Sequence, residues 1–230
     1  MNSPKREDAL LAVLGLDVPE APANAADSNH RKLRRYLESV FPDDLRLRPK
    51  ASVHIASGSS ILPYLDALMG CETVRADPDG RQLRAYAKEY QRLPVSVRDF
   101  HGRAEDYLKS LPAGSVDHIT VFNLFNYDDR SGGYTHRGGV DELLAECVKA
   151  LGYGANKSIQ VTDDIVSAAV SGKRAGKRTP CVLEDMLSRL GAEWEKTVTD
   201  EQMPLEGTME DGENYLHTYR IYRVLGHRLP

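Results

Sequence analysis

The chain has few cysteines and no cluster of metal-binding residues. Its three cysteines, Cys71, Cys147 and Cys181, are scattered over 230 residues without C-x-x-C spacing, and an odd number does not suit a disulfide framework. The seven histidines show no H-x-x-x-H spacing and do not cluster with the cysteines. We therefore expect reduced thiols and no metal site.

Long hydrophobic runs and an excess of positive charge are also missing. The first residues, MNSPKREDALLAVLG, contain no apolar run long enough for a signal peptide, and no segment approaches the roughly 20 apolar residues of a membrane span. A net charge of −4 creates no positive field for a polyanion. We expect a soluble, cytoplasmic protein without membrane association or constitutive nucleic-acid binding.

The length and composition predict one α/β domain with an appendage. With 41% hydrophobic residues, 230 residues are enough for one sizeable core. A linker rich in Pro and Ala over residues 18–26 follows a possible short helix over 5–16. We expect residues 1–26 to form an N-terminal appendage and linker, and residues 27–230 to form the domain.

Strand-like and helix-like segments alternate from residue 51 onward, which is typical of a mostly parallel sheet covered by helices on both faces. We predict seven strands, near residues 52–56, 72–76, 95–100, 116–122, 157–162, 192–199 and 216–225. We predict helices near residues 61–69, 79–91, 103–110, 138–151 and 180–190. The polar loop 200–214 leaves no room for a crossover helix, so the last two strands should form an antiparallel hairpin.

Residues 53–79 are the most informative stretch of the chain. A strand over 53–56 enters a turn of small residues at 57–60 and then a helix, and the next strand ends on Asp77, 19 positions beyond Gly58. A small turn lets a ligand approach the backbone, and an acid at the neighbouring strand end can accept ribose hydroxyl protons. Both dinucleotide-binding and S-adenosylmethionine-binding sheets share this order, but G-x-G-x-x-G needs three glycines and only Gly58 is present.

The segment resembles the first motif of class I S-adenosylmethionine-dependent methyltransferases, a strand of the type V-L-D-x-G-x-G-x-G. Gly58 matches the middle glycine, Ala56 and Ser60 stand at the flanking glycines, and His54 replaces the usual acid. Three later stretches resemble the family's third strand and adenine loop, its fourth strand, and the helix and turn before its fifth strand, over residues 95–106, 115–123 and 143–154. The resemblance covers roughly residues 51–225 and implies a seven-stranded, mostly parallel sheet in a three-layer sandwich that ends in an antiparallel hairpin.

The resemblance also implies a cofactor, S-adenosylmethionine, and residues to bind it. Asp77 would bind the ribose hydroxyls. The residues near the amino-acid end of the cofactor would be Ala56, Ser57, Gly58 and Ser59, and those near adenine would be Arg103, Ala104 and Glu105. The same positions also suit a simple strand-to-helix turn, a helix N-cap at Asp77 and an ordinary helix start at Arg103.

The loop 123–139 after the fourth strand is where open α/β sheets place their substrates. Our candidates for orienting or deprotonating a nucleophile are Asn123, Tyr127, Asp128 and His136, and Asn123 would also contact the cofactor. The Gly132-Gly133 and Gly138-Gly139 pairs could act as hinges around a tip at residues 134–136, so we predict a mobile cover. A solvated polar loop is the alternative.

Two charged segments further along have less specific interpretations. Asp163 and Asp164 are expected to follow the fifth strand, where they would meet a cationic substrate or a metal, or cap a helix. The basic run 173–178 would clamp a substrate phosphate or carboxylate, or simply be solvated.

These observations favour methyl transfer from S-adenosylmethionine to a small-molecule or protein acceptor. A methyltransferase-like binding or regulatory protein without catalysis is one alternative, favoured by His54 and the absent flanking glycines. Transfer of the aminocarboxypropyl arm of the cofactor is another. A homodimer is possible.

Overall fold

The computed structural model describes residues 36–57, 61–89, 91, 93–122, 127–128, 133–134, 140–166, 182–198, 203–204 and 215–227. The strands of the main sheet are β1 (Ala51–Ile55), β2 (Glu72–Asp77), β3 (Arg98–His101), β4 (His118–Phe122), β5 (Ser158–Val166), β6 (Ala192–Val198) and β7 (Tyr215–His227). The helices are α1 (Leu62–Leu68), α2 (Gly80–Glu89), α3 (Ala104–Lys109), α4 (Val140–Leu151) and α5 (Val182–Arg189). Residues 36–40 are also helical, and Leu45–Leu47 form one 3₁₀ turn.

The strands lie in the order β3-β2-β1-β4-β5-β7-β6, and a two-residue strand, Met203–Pro204, also pairs with β7. Strands β1 to β5 pair in parallel, whereas β7 is antiparallel to both of its long neighbours. This confirms the prediction of a seven-stranded, mostly parallel sheet with a C-terminal antiparallel hairpin. The reversal at β1 between β2 and β4 creates a crevice at the carboxyl ends of these strands, where α/β sheets bind ligands.

Apolar side chains form a separate cluster on each face of the sheet. Val53 and Ile55 belong to a large cluster with α3, α4 and α5, whereas Leu62 and Leu65 of α1 join the 36–40 segment in a smaller one. Because successive residues of a strand point to opposite faces, His54 lies opposite Val53 and Ile55, on the side of α1.

A buried carboxylate fixes the edge of the sheet where β1, β4 and β5 begin. Asp117 accepts hydrogen bonds from the Lys50 N–H at 2.7 Å, from Asn156 Nδ2 at 3.0 Å and from Lys157 Nζ at 2.7 Å. Lys157 also donates to the carbonyls of Gly114 and Val116, so its charge is fully engaged. This network holds three strand starts in register at the edge opposite the crevice.

Two local predictions are wrong. Asp163 and Asp164 do not follow the fifth strand but lie within β5, where they pair with Thr218 and His217 of β7 and so cap no helix there. The predicted tip 134–136 is also wrong at its first residue, because Tyr134 pairs with Tyr127 in a two-residue antiparallel ladder, while residues 135 and 136 lie outside the described residues.

Within the part of the chain that the structure describes, every helix is too short or too polar to cross a membrane. Residues 1–35, which include the predicted appendage and its boundary, and the basic run 173–178 lie outside the described residues.

Candidate functional site

The turn after β1 and the acid at the end of β2 meet at one edge of the sheet. The two strands pair in parallel, with Ile55 opposite Ala76, so Ala56 and Asp77 follow at adjacent strand ends. The Ala56 N–H donates to the Ala76 carbonyl at 3.0 Å, which extends the ladder to the first residue of the turn. The spacing read from the sequence thus corresponds to spatial proximity.

Ala56 has a backbone conformation that glycine normally adopts. Its φ of 51° is the only positive φ of a non-glycine residue in the described chain. The left-handed region costs an L-residue about 1–2 kcal/mol, and such strain persists where the surrounding structure imposes it, often at functional sites. The first residue of the turn therefore has a glycine-type backbone although residue 56 is alanine.

The next residue, Ser57, presents a buried hydroxyl. Its residue exposure is 5%, and its Oγ has no hydrogen-bond partner among the described residues. A buried polar atom without a partner costs stability, so this hydroxyl suits a polar group of a ligand seated on the turn. Gly58 and Ser59, the other predicted contacts, lie outside the described residues.

Asp77 is 93% buried and has one carboxylate oxygen engaged in its own turn. Its Oδ1 accepts the Asp79 N–H at 2.8 Å, and no described group donates to Oδ2. The helix-capping role falls to Asp79, whose Oδ1 accepts the Arg81 N–H at 2.9 Å in the first turn of α2. Asp77 therefore has one carboxylate oxygen with no donor among the described residues, and binding of ribose hydroxyls requires such an acceptor.

The loop after β3 closes the same side of the crevice. The Gly102 N–H donates to the Asp77 carbonyl at 3.2 Å, and a Cβ atom at Gly102 would lie 2.8 Å from the Phe100 ring. Arg103 is exposed and pairs with Glu105 at 3.0 Å, whereas Ala104 packs into the large apolar cluster. An adenine ring bound at this loop would therefore contact backbone groups and the Arg103–Glu105 pair rather than the Ala104 side chain.

An open groove of ≈ 460 Å³ begins beside Asp77, and its lining residues are Pro78, Asp79, Gly80, Arg81, Arg84 and His101. The His101 ring lies over this groove, with Nε2 3.0 Å from the Pro78 carbonyl and the ring 3.0 Å from where a Cβ of Gly80 would be. A second groove of ≈ 470 Å³ lies at the starts of β2 and β3, the wrong edge for a ligand held by Ala56 and Asp77.

The described residues include two members of the predicted catalytic set, whose catalytic role stays a prediction. Tyr127 and Asp128 form one strand of the two-residue ladder after β4, while Asn123 and His136 lie outside the described residues. Among the described residues, no group of three or more His, Cys, Asp or Glu is arranged to hold a metal ion.

Sequence reasoning missed a buried polar network beside the turn, on the α1 face of the sheet. His54 Nε2 lies 3.0 Å from Asp66 Oδ2, and Asp66 Oδ1 accepts the Tyr36 hydroxyl at 2.5 Å. The other ring nitrogen of His54 lies 2.6 Å from Thr120 Oγ1. The only sequence signal was Asp66 itself, a carboxylate among the apolar residues of α1.

The electrostatics of this network keep Asp66 ionised. Burial alone raises the pKa of Asp66, but the adjacent His54 ring, with further contributions from His118 and Tyr36, outweighs burial and brings the pKa below its usual value. For His118, burial dominates and lowers its pKa to about 4. Its Nδ1 lies 2.7 Å from Ser158 Oγ, and its Nε2 has no hydrogen-bond partner among the described residues.

The two buried cysteines of the described chain are free thiols. Cys71 donates its S–H to the Pro49 carbonyl at 3.0 Å, and burial raises the pKa of both Cys71 and Cys147. Neither is activated as a nucleophile, since reactivity requires a lowered thiol pKa.

No protein-family profile matches the chain, and no curated protein matches it in sequence. Solved structures do match. A putative S-adenosylmethionine-dependent methyltransferase from Listeria monocytogenes is 13% identical with a TM-score of 0.56, covering 82% of this chain and 96% of its own. Precorrin-6y C5,15-methyltransferase from Geobacter metallireducens is 12% identical with a TM-score of 0.53, covering 83% of this chain and 87% of its own.

A third similar structure is described as precorrin-8w decarboxylase, from Methanobacterium thermoautotrophicum. It is 15% identical with a TM-score of 0.54, and the match covers 90% of this chain and 95% of the other. Proteins of this one architecture thus carry different described activities, so the similarity identifies the architecture and not the reaction. The chain has the fold of class I S-adenosylmethionine-dependent methyltransferases.

Proposed function

We propose that the protein binds S-adenosylmethionine at the ends of β1, β2 and β3 and transfers its methyl group to a small-molecule or protein acceptor. The observation that carries the proposal is the Ala56 turn, which keeps a glycine-type backbone next to the acid at the end of β2. A turn without a ligand to accommodate would gain stability by relaxing this strain.

The residues present fit the cofactor. The Ser57 hydroxyl, which has no hydrogen-bond partner among the described residues, and the backbone of the turn would hold the amino-acid end. The Asp77 carboxylate would accept the ribose hydroxyl protons. The loop at Gly102 and Arg103 would flank the base. All three lie at one sheet edge, which supports a single extended ligand spanning them.

The cofactor supplies a methyl group that is already electrophilic. The protein therefore needs chiefly to align the acceptor with the methyl carbon and to exclude water, and a base is required only where the acceptor carries a proton. The ladder of Tyr127–Asp128 with Gly133–Tyr134 follows β4, next to β1 in the sheet, and this loop is our candidate for contacting the acceptor.

Calorimetry with S-adenosylmethionine and S-adenosylhomocysteine tests the binding step. We expect Asp77→Ala to weaken binding about ten- to a hundredfold, because a hydrogen bond to a charged group contributes roughly 1.5–3 kcal/mol. Asp77→Asn keeps an acceptor for the Asp79 N–H and should lose less, which separates the ribose contact from the local turn. Asp106→Asn, on the exposed side of α3, is the control with the same change of charge.

Gly58→Val provides a second test. Its side chain would occupy the space where we expect the cofactor to approach the backbone of the turn, and it should therefore abolish binding. Unchanged affinity in Asp77→Ala, with an intact fold, would remove Asp77 from the site. Absence of binding to the unaltered protein would favour the non-catalytic alternative, to which His54 and the missing glycines already point.

A further inference from the structure

The Asp66 carboxylate joins the N-terminal helical segment to the strand that leads into the ligand turn. It accepts the Tyr36 hydroxyl from the 36–40 segment on one oxygen and lies 3.0 Å from His54 Nε2 of β1 on the other. These side chains are fully buried, Asp66 and His54 at 0% exposure and Tyr36 at 1%. No substrate can reach them, which excludes direct catalysis by this Asp–His pair.

The network continues to the strand beside β1. His54 Nδ1 lies 2.6 Å from Thr120 Oγ1, and His54 and Thr120 face each other in the parallel pairing of β1 with β4. His54 precedes the strained Ala56 by two residues, and Thr120 is the central residue of β4. The ring of His54 therefore connects the strand that leads into the Ala56 turn to the neighbouring strand β4.

The shared carboxylate makes these contacts depend on one another. A buried carboxylate is costly unless both of its oxygens receive hydrogen bonds, and loss of one donor weakens the whole arrangement. If the 36–40 segment moves away, Tyr36 leaves one oxygen of Asp66 without that donor. The carboxylate then keeps only its contact with His54, at the base of the turn, among the contacts described above.

We propose that Asp66 is a positioning residue that couples the docking of the 36–40 segment, through Tyr36, to the geometry of the Ala56 turn, through His54. The inference rests on the proposed function, because the ligand affected is S-adenosylmethionine on that turn. Coupling of this kind is reciprocal: a ligand that fixes the turn also stabilises the docked segment.

Tyr36→Phe is the test variant, since it removes only the hydroxyl. We expect it to weaken S-adenosylhomocysteine binding about 5- to 10-fold in calorimetry, at the lower end of measured coupling factors. Leu93→Ala is the matched control, because Leu93 is buried in the same apolar cluster and its side chain has no hydrogen-bonding group. It should reduce the free energy of unfolding at least as much as Tyr36→Phe but change the affinity less than twofold.

Hydrogen exchange without ligand tests the coupling independently of the proposed function. The probe is the Ala56 amide, which donates to the Ala76 carbonyl. We expect this amide to exchange about 5- to 10-fold faster in Tyr36→Phe than in the unaltered protein, and Leu93→Ala to leave it unchanged. If the unaltered protein binds no S-adenosylhomocysteine, the proposed function fails, but this measurement still decides the coupling.

Two results would overturn the coupling itself. One is an Ala56 amide that exchanges equally fast with and without the Tyr36 hydroxyl. The other is an equal acceleration in Leu93→Ala, which would show that the turn responds only to general destabilisation.

Discussion

A buried neutral histidine should make the fold lose stability between pH 6.5 and pH 4. His118 is 0% exposed, and burial lowers its pKa from 6.5 to about 4. In this interval the unfolded chain binds a proton that the folded protein does not, so the free energy of unfolding falls as the pH falls. The contribution is constant above about pH 6.5 and again below about pH 4, where both states carry the same proton.

The size of the effect follows from the two pKa values. The pKa of His118 is 6.5 in the unfolded chain and about 4 in the folded protein. Each pKa unit corresponds to about 1.36 kcal/mol, so roughly 3 kcal/mol of stability should be lost. Asp66 acts in a different range. Because its pKa is lowered, its contribution is present above the unfolded carboxyl value of about 3.9 and disappears only below it.

Urea denaturation at pH 7, 6, 5 and 4 measures the loss. The unaltered protein should lose roughly 3 kcal/mol more than His118→Asn across this range. Ile119→Val, a change at the neighbouring buried position, should lower stability by about 0.5–1.5 kcal/mol at every pH and leave the pH dependence intact. The same pH dependence in His118→Asn and in the unaltered protein would refute a buried neutral imidazole.

Three further perturbations test the turn, the opposite sheet edge and the predicted cover. Ala56→Gly should raise the free energy of unfolding by roughly 1 kcal/mol in urea denaturation, since glycine adopts a φ of 51° without strain; a loss would contradict that conformation. Asp117→Ala should cost about 2–3 kcal/mol, because it removes the carboxylate partner of the partly buried Lys157 and the acceptor of the Lys50 N–H; a change below about 1 kcal/mol in the same assay would contradict the network. If the loop 123–139 covers the acceptor site, amide exchange at Tyr127 and Tyr134 should slow when S-adenosylmethionine and acceptor bind, and equal protection in both states would exclude a cover.

The sheet could be predicted from the sequence because each strand carries its own local signal. Strands such as β1 and β4 are largely buried segments rich in apolar residues, and the reversal of β7 followed from a connection with no room for a helix. The errors lie where pairing overrides local preference. Asp163 and Asp164 are poor strand formers, yet β5 extends through them because the 13-residue strand β7 provides backbone partners as far as Val166.

The buried polar network could not be predicted, since nothing local marks its members as neighbours. His54 and Thr120 are 66 positions apart, and Tyr36 and Asp66 are 30 apart. Only the packing of α1 and the 36–40 segment on the sheet brings them together. Polar residues in a sequence also normally indicate exposure, and here a carboxylate, two imidazoles and the hydroxyls of Tyr36 and Thr120 are all buried.

Ala56 shows why the degenerate motif was still informative. A glycine pattern records which residue most easily adopts a backbone conformation, whereas the conformation itself is imposed by the strands and helix around it. Here β1 and β2 align the turn through the Ala56–Ala76 hydrogen bond, and His54 ties the end of β1 to α1 and β4. The position of Asp77 is likewise set by the length of one strand–helix–strand unit, so the 19-residue spacing survives the loss of the flanking glycines.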